Sequence, residues 1–235
     1  MRHTIPTLLV LVCTGPGLRA DALTDLTVRL KPLRAQTPIT LKLEQTSTEW
    51  DEGKDRKEVR TLKVAEGPGG LKVLEDSGAS SAFRSTKAPG DPTAKKGDSQ
   101  WRRQLRAQED LLEELEKATL VGESPEVLEG RPVRRLRLKL SLDLDEEARK
   151  HVKRSTMEAT LWLGADGLPV AMERRIDLEV RAMIFVKVWT KVNSRYRFVR
   201  VQDRLITTEA TDAVEGEAMG HPFKVRVTVR ATPLP

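Results

Sequence analysis

Aromatic side chains are scarce in this sequence: one Tyr, four Phe and four Trp among 235 residues. Single-stranded nucleic acids are bound largely by stacking bases on aromatic faces, so a nucleic-acid platform is not expected, and a sugar-stacking cleft is disfavoured for the same reason. Cysteine is scarcer still, with Cys13 alone, which excludes an internal disulfide and a cysteine metal site. The three histidines, His3, His151 and His221, stand in no H-x-H or H-E-x-x-H setting, so they read as surface residues and no metal or cofactor is expected. No apolar run approaches the roughly 20 residues that span a bilayer.

Enzyme motifs are missing as well. There is no G-x-S-x-G elbow, and Ser85-Thr86-Lys87 has the wrong spacing for S-x-x-K. The glycines at 67, 69 and 70 lack the Lys-Ser/Thr pair of a phosphate-binding loop. Glu109, Asp110, Glu113 and Glu114 read as a solvated helix face matched by nearby Arg and Lys. A glycosidase carboxylate pair meets only in the fold, and nothing in the spacing points to one.

The chain is 38% hydrophobic and 32% charged, with a mean hydropathy of -0.44. That suits a soluble body with one sizeable core. Residues 1–22 read as a cleaved secretory signal: Arg2 and His3, a short apolar run from Thr7 to Val12, then Ala20-Asp21-Ala22 as a small-x-small cleavage site. Cys13 lies in that run, and Val12 fits poorly before an acylated cysteine, which argues against lipidation. Removing Arg2, Arg19 and Asp21 from a chain of net charge +6 leaves +5. Scattered positive charge permits weak contact with anionic headgroups. A mature chain without cysteine suggests a bacterial periplasm or secreted envelope protein.

Period-two alternation dominates what remains. Residues 155–181 carry it on both sides of Gly164-Ala165-Asp166-Gly167, through Met157, Ala159, Leu161 and Leu163, then Leu168, Val170, Met172, Ile176, Leu178 and Val180. That predicts a hairpin. Residues 133–144 form a one-sided strand with leucine at 136, 138, 140, 142 and 144. Further strands are predicted at 23–31, 38–50, 59–65, 71–74, 183–192, 195–206 and 221–230. Residues 77–98 and 211–220 read as loops. One helix is predicted over 99–119, with Trp101, Leu105, Leu112 and Leu115 on its apolar face, and a short one over 145–153. The expected fold is mainly β: a broad curved antiparallel sheet or unclosed β-barrel with one main helix packed on it, forming a single domain over 23–235.

One helix of about 18 residues spans roughly 27 Å and cannot cover nine or ten strands about 4.8 Å apart. Either the sheet curls on itself, or a ligand or partner covers the remainder. At this point the segment Leu161-Trp162-Leu163-Gly164-Ala165-Asp166-Gly167-Leu168-Pro169-Val170 resembles the strand, Asp/Gly turn, Leu-Pro, strand segment of the periplasmic lipoprotein-carrier (LolA/LolB-like) superfamily. The likeness covers about residues 130–208. It implies an unclosed barrel whose concave apolar side, lidded by helices, holds acyl chains. Ahead of residue 130 the family pattern implies more helix, whereas strands come first here. The expectation is a non-enzymatic exported binding protein holding a lipid or lipoprotein acyl chain, with Leu136, Leu138, Leu140, Leu161, Leu163, Ile176, Leu178 and Val186 as the apolar lining. The alternatives are an envelope protein-interaction module with a closed core, and a hydrolase whose site the sequence does not show.

Overall fold

The computed structural model describes residues 18–51, 54–67, 70–77, 101–142, 146–181, 187–218 and 220–235. Ten strands form one antiparallel sheet: β1 (Ile39–Asp51), β2 (Lys54–Gly67), β3 (Gly70–Asp76), β4 (Thr119–Leu128), β5 (Arg131–Lys139), β6 (Val152–Leu163), β7 (Pro169–Arg181), β8 (Lys187–Val201), β9 (Arg204–Ala218) and β10 (His221–Leu234). Their order is β3-β2-β1-β10-β9-β8-β7-β6-β5-β4. Neighbours in the sheet are neighbours in sequence except where β1 pairs with β10. β3 and β4 are the two edges, so the barrel is not closed.

Four helices accompany the sheet: α1 (Leu18–Leu30), α2 (Arg102–Leu105), α3 (Ala107–Glu116) and α4 (Glu146–His151). α2 and α3 pack on β9, and α1 packs on α3 and β4. The face carrying α2 and α3 is called the inner face below.

The predicted hairpin is present, as β6 and β7. In its turn the Gly164 N–H donates to the Leu168 carbonyl at 2.9 Å. The Leu168 N–H donates to Asp166 Oδ1 at 3.0 Å. Gly167 has φ 75°, a conformation natural to glycine. The short helix at 145–153 is α4.

Several elements differ from the sequence pattern, each for a physical reason. Residues 23–31 are not a strand but most of α1. Leu26, Val28 and Leu30 alternate, yet Ala22, Leu26 and Leu30 also fall four apart, and these are the buried ones. Val28 is 60% exposed, so the helical face wins. The single helix over 99–119 is two helices broken at Arg106 (φ -139°, ψ 49°). Leu111 rather than Leu112 takes the buried place on α3. Residues 119–128 form β4, a strand the periodicity hides because Gly122 and Pro125 interrupt it. An edge strand tolerates such a proline, which need not donate outward.

Residues 195–206 are not one strand: they turn at Gln202-Asp203, where Gln202 has φ 55°. Residues 211–218 of the supposed loop at 211–220 are the second half of β9, paired on both sides. Its small and acidic residues sit in a central strand because its neighbours supply the bulk. Residues 1–17, most of 77–98 and Val186 lie outside the described residues, so the apolar run and Cys13 do too. α1 runs through the expected cleavage site at Ala22.

Helical packing of α1 makes a specific prediction. Leu26→Ala removes a fully buried side chain and should cost about 2–5 kcal/mol. Val28→Ala should cost under about 0.5 kcal/mol. Urea denaturation of both variants checks this; equal losses would contradict the helix.

Candidate functional site: the inner face of the sheet

Strands of 13 to 15 residues run about 43–50 Å. α3, with its 10 residues, covers about 15 Å of that length. The inner face therefore has a covered half and a half beyond the helices. Cross-strand register, which places directly paired residues on one face, assigns residues to each.

In the covered half, Leu41, Leu43, Leu62, Val64, Leu136, Leu138, Leu161, Leu163, Met172 and Phe198 form one buried cluster. Leu26, Leu30, Leu105, Leu111 and Leu115 of the helices belong to it. The packing is tight. A pocket where the cluster meets Arg103, Asp110, Glu114 and Tyr196, closed by Met172 and Phe198, holds about 20 Å³, room for about one water.

A polar belt marks the end of this half. Arg103 and Arg174 donate to the Tyr196 hydroxyl at 3.1 and 3.2 Å, and that hydroxyl donates to Asp212 Oδ1 at 3.1 Å. Arg174 also pairs with Glu114 on α3 at 2.8 Å. Burial pushes the Tyr196 hydroxyl above its ordinary pKa, against the opposing pull of Arg103 and Arg174. It likewise raises Asp110, whose carboxylate lies 3.7 Å from Arg103. These groups fasten α2 and α3 to β7, β8 and β9.

Beyond the belt the register gives two apolar rows. Ile176 pairs with Val192, Val192 with Val214, and Val214 with Val225. In the next row Leu178 pairs with Thr190, Thr190 with Gly216, and Gly216 with Phe223. Gly216 lets the Phe223 ring lie against the strand: a Cβ there would sit 2.6 Å from Phe223 Cζ. Ile176 and Val214 are buried, while Leu178, Val192, Phe223 and Val225 are only half-buried.

The expected lining residues divide accordingly. Leu136, Leu138, Leu140, Leu161, Leu163 and Ile176 share the buried cluster. Of these, Ile176 lies beyond the belt, and Leu178 sits one row further out. The rows on β8 to β10 were not singled out from the sequence, although the parity of Val188 and Val192, and of Phe223, Val225 and Val227, was visible there.

A second concavity, of about 510 Å³, lies at the opposite strand ends between Pro38, Ile39, Glu66, Lys72, Val201, Gln202 and Pro233. Beside it Arg204, only 1% exposed, pairs with Glu66 at 2.6 Å. It also donates to the carbonyls of Ala35 (2.9 Å) and Thr37. Arg106 reaches the other Glu66 oxygen at 2.6 Å. Among the described residues no group of three His, Cys, Asp or Glu could hold a metal, and no helix is long and apolar enough to cross a membrane.

No family model and no curated protein matches the sequence. Solved structures do match across most of their length. A DUF1329 family protein from Desulfovibrio piger shares 15% identity at TM-score 0.37, covering 90% of each chain. A Vibrio parahaemolyticus domain, provisionally assigned to outer membrane lipoprotein sorting, shares 10% at TM-score 0.37, covering 93% of this chain and 94% of its own. A LolA superfamily protein from Nitrosomonas europaea shares 10% at TM-score 0.31, covering 92% and 95%.

Acidification should loosen the turn beside the second concavity. Burial works to raise the Asp203 carboxyl, but hydrogen bonds from Gln36 and Thr37 override it and hold the group below its ordinary value. A depressed folded pKa means the unfolded chain binds the proton more readily. The contribution is present above the unfolded value of about 3.9 and is lost as pH falls through the folded one. Urea midpoints measured from about pH 6 to pH 3 should fall more steeply for the native chain than for Asp203→Asn. Parallel curves would show that the carboxylate clip contributes nothing.

Proposed function

We propose that this chain is a non-enzymatic binding protein of the bacterial envelope, exported by residues 1–22, that holds an acyl chain of a lipid or lipoprotein on the inner face of its sheet. One observation carries the reading. The sheet is unclosed, and its two apolar rows beyond the polar belt leave Leu178, Val192, Phe223 and Val225 half-buried. Three spacings of about 4.8 Å between these four strands make a strip roughly 14 Å wide. An extended hydrocarbon chain fits such a strip without needing polar partners.

Ile176 and Leu178 of the expected lining contact the chain directly in this reading. Leu136, Leu138, Leu140, Leu161, Leu163 and Val186 would contact it only if it extends further. Leu136, Leu138, Leu161 and Leu163 lie in the packed cluster with the helices, so that extension requires α2 and α3 to move. Cleavage after Ala22 keeps Leu26 and Leu30, the deeper anchors of α1.

The filled core under the helices favours a second reading, an envelope protein-interaction module with no ligand. Native mass spectrometry separates the two. Protein purified from a bacterial periplasm without detergent should carry a stoichiometric lipid. Val192→Arg and Val225→Arg should lose it, and should weaken binding of a fluorescent fatty acid about tenfold or more, the equivalent of about 1.4 kcal/mol. Circular dichroism should be unchanged. A lipid-free mass together with no fatty-acid binding would leave the interaction module.

A further inference from the structure

The two edges of the sheet are treated differently. β4 is guarded: Pro125 has no N–H to offer, the register shifts between Leu120 and Gly122, and α1 packs against the strand. β3 has no such cover among the described residues. All its residues except Leu71 are exposed. Val73 and Leu74 are each 51% exposed, an unusual state for adjacent branched apolar residues on a strand edge.

The sequence of β3 explains what could cover it. Residues 71–76 read Leu-Lys-Val-Leu-Glu-Asp. Laid antiparallel against a second copy of itself, with the two-fold axis between Val73 and Leu74, the four central positions meet suitable partners, while Asp76 keeps its ion pair with Arg60. Lys72 falls opposite Glu75, Val73 opposite Leu74, and Leu71 opposite Asp76. The faces agree too. Within the chain Lys72 pairs with Ala65 and Glu75 with Lys63, while Leu71 pairs with Glu66 and Asp76 with Leu62. Ala65 and Lys63 share one face of β2, and Glu66 and Leu62 share the other. Val73 pairs with Val64, and the register shift beside it leaves Leu74 as the extra residue, so the two together oppose Val64. The only outward charges on the edge, Lys72 and Glu75, are of opposite sign and exchange places under the two-fold. Slipping the register by two residues would put Val73 opposite Lys72 or Asp76, which disfavours competing alignments.

We propose that β3 is a self-recognition edge: two copies of this chain pair antiparallel through residues 71–76, joining their sheets into one. A closed two-fold contact of this kind is isologous and stops at the dimer. The six-residue edge makes a weak, concentration-dependent association rather than an obligate one. The inference is independent of what the inner face binds.

Sedimentation of the full chain over a concentration series tests it. The native protein should shift from monomer to dimer. Lys72→Glu should weaken association about tenfold, because both symmetric cross-strand pairs turn from attractive to repulsive. Glu75→Lys should do the same. The double variant Lys72→Glu/Glu75→Lys should recover dimerisation, since the pairs are merely exchanged. Lys63 and Glu75 are an exposed pair, 3.3 Å apart, so these changes leave the fold nearly untouched. A monomer throughout, a dimer indifferent to the single reversals, or a double variant that fails to recover would each overturn the proposal.

Discussion

Everything in this structure hangs on covering one apolar face of a sheet that does not close. Ten strands with an unpaired edge at each side present far more inner surface than the helices can reach. Chain connectivity then decides which part is covered. α2 and α3 follow β3 and are fixed to β9, where Thr207 donates to the Arg103 carbonyl at 3.0 Å and the Leu205 N–H donates to Gln108 Oε1 at 3.1 Å. Arg204 completes the arrangement. Its buried guanidinium joins the start of β9 to Glu66 of β2 and to the carbonyls of Ala35 and Thr37 in the α1–β1 connection. Leaving either charge of that pair alone would strand a buried ion, which costs several kcal/mol.

The polar belt gives the covered half a boundary. The Tyr196 hydroxyl is held by Arg103, Arg174 and Asp212, so this buried polar group is satisfied by hydrogen bonds within the protein. On one side lies the buried leucine cluster shared with the helices. On the other lie two rows of Val, Leu, Ile and Phe, with Thr190 among them and a glycine where the Phe223 ring must lie close. The proposed adsorption of an apolar chain asks for such a division: a half that positions the strands, and a half where Leu178, Val192, Phe223 and Val225 are only half-buried.

Much of this was legible in the sequence, and the failures share a cause. The β6–β7 hairpin could be read because its inner residues are mostly large and its turn carries Asp-Gly. β5 could be read because leucine repeats at 136 and 138. Misreadings arose where period two and period four both fit, as at Leu26, Val28 and Leu30, or where a strand's inner residues are small. β9 carries Ala210, Asp212, Val214 and Gly216 inward, a pattern that local hydrophobicity cannot tell from a loop. β4 was hidden by Gly122 and Pro125, which an edge position permits. The rows beyond the belt could not be assembled from single strands at all, because they exist only once the register brings β7, β8, β9 and β10 side by side.

Photo-crosslinking decides whether an acyl chain lies on the rows beyond the belt. A fatty acid bearing a diazirine near its terminus would be bound, irradiated, and mapped by peptide mass. The account predicts labelling on β7 to β10 around Leu178, Val192, Val214 and Val225. Labelling of the helix-covered cluster around Leu136 and Leu161 instead would contradict it, as would labelling spread over the outer face of the sheet.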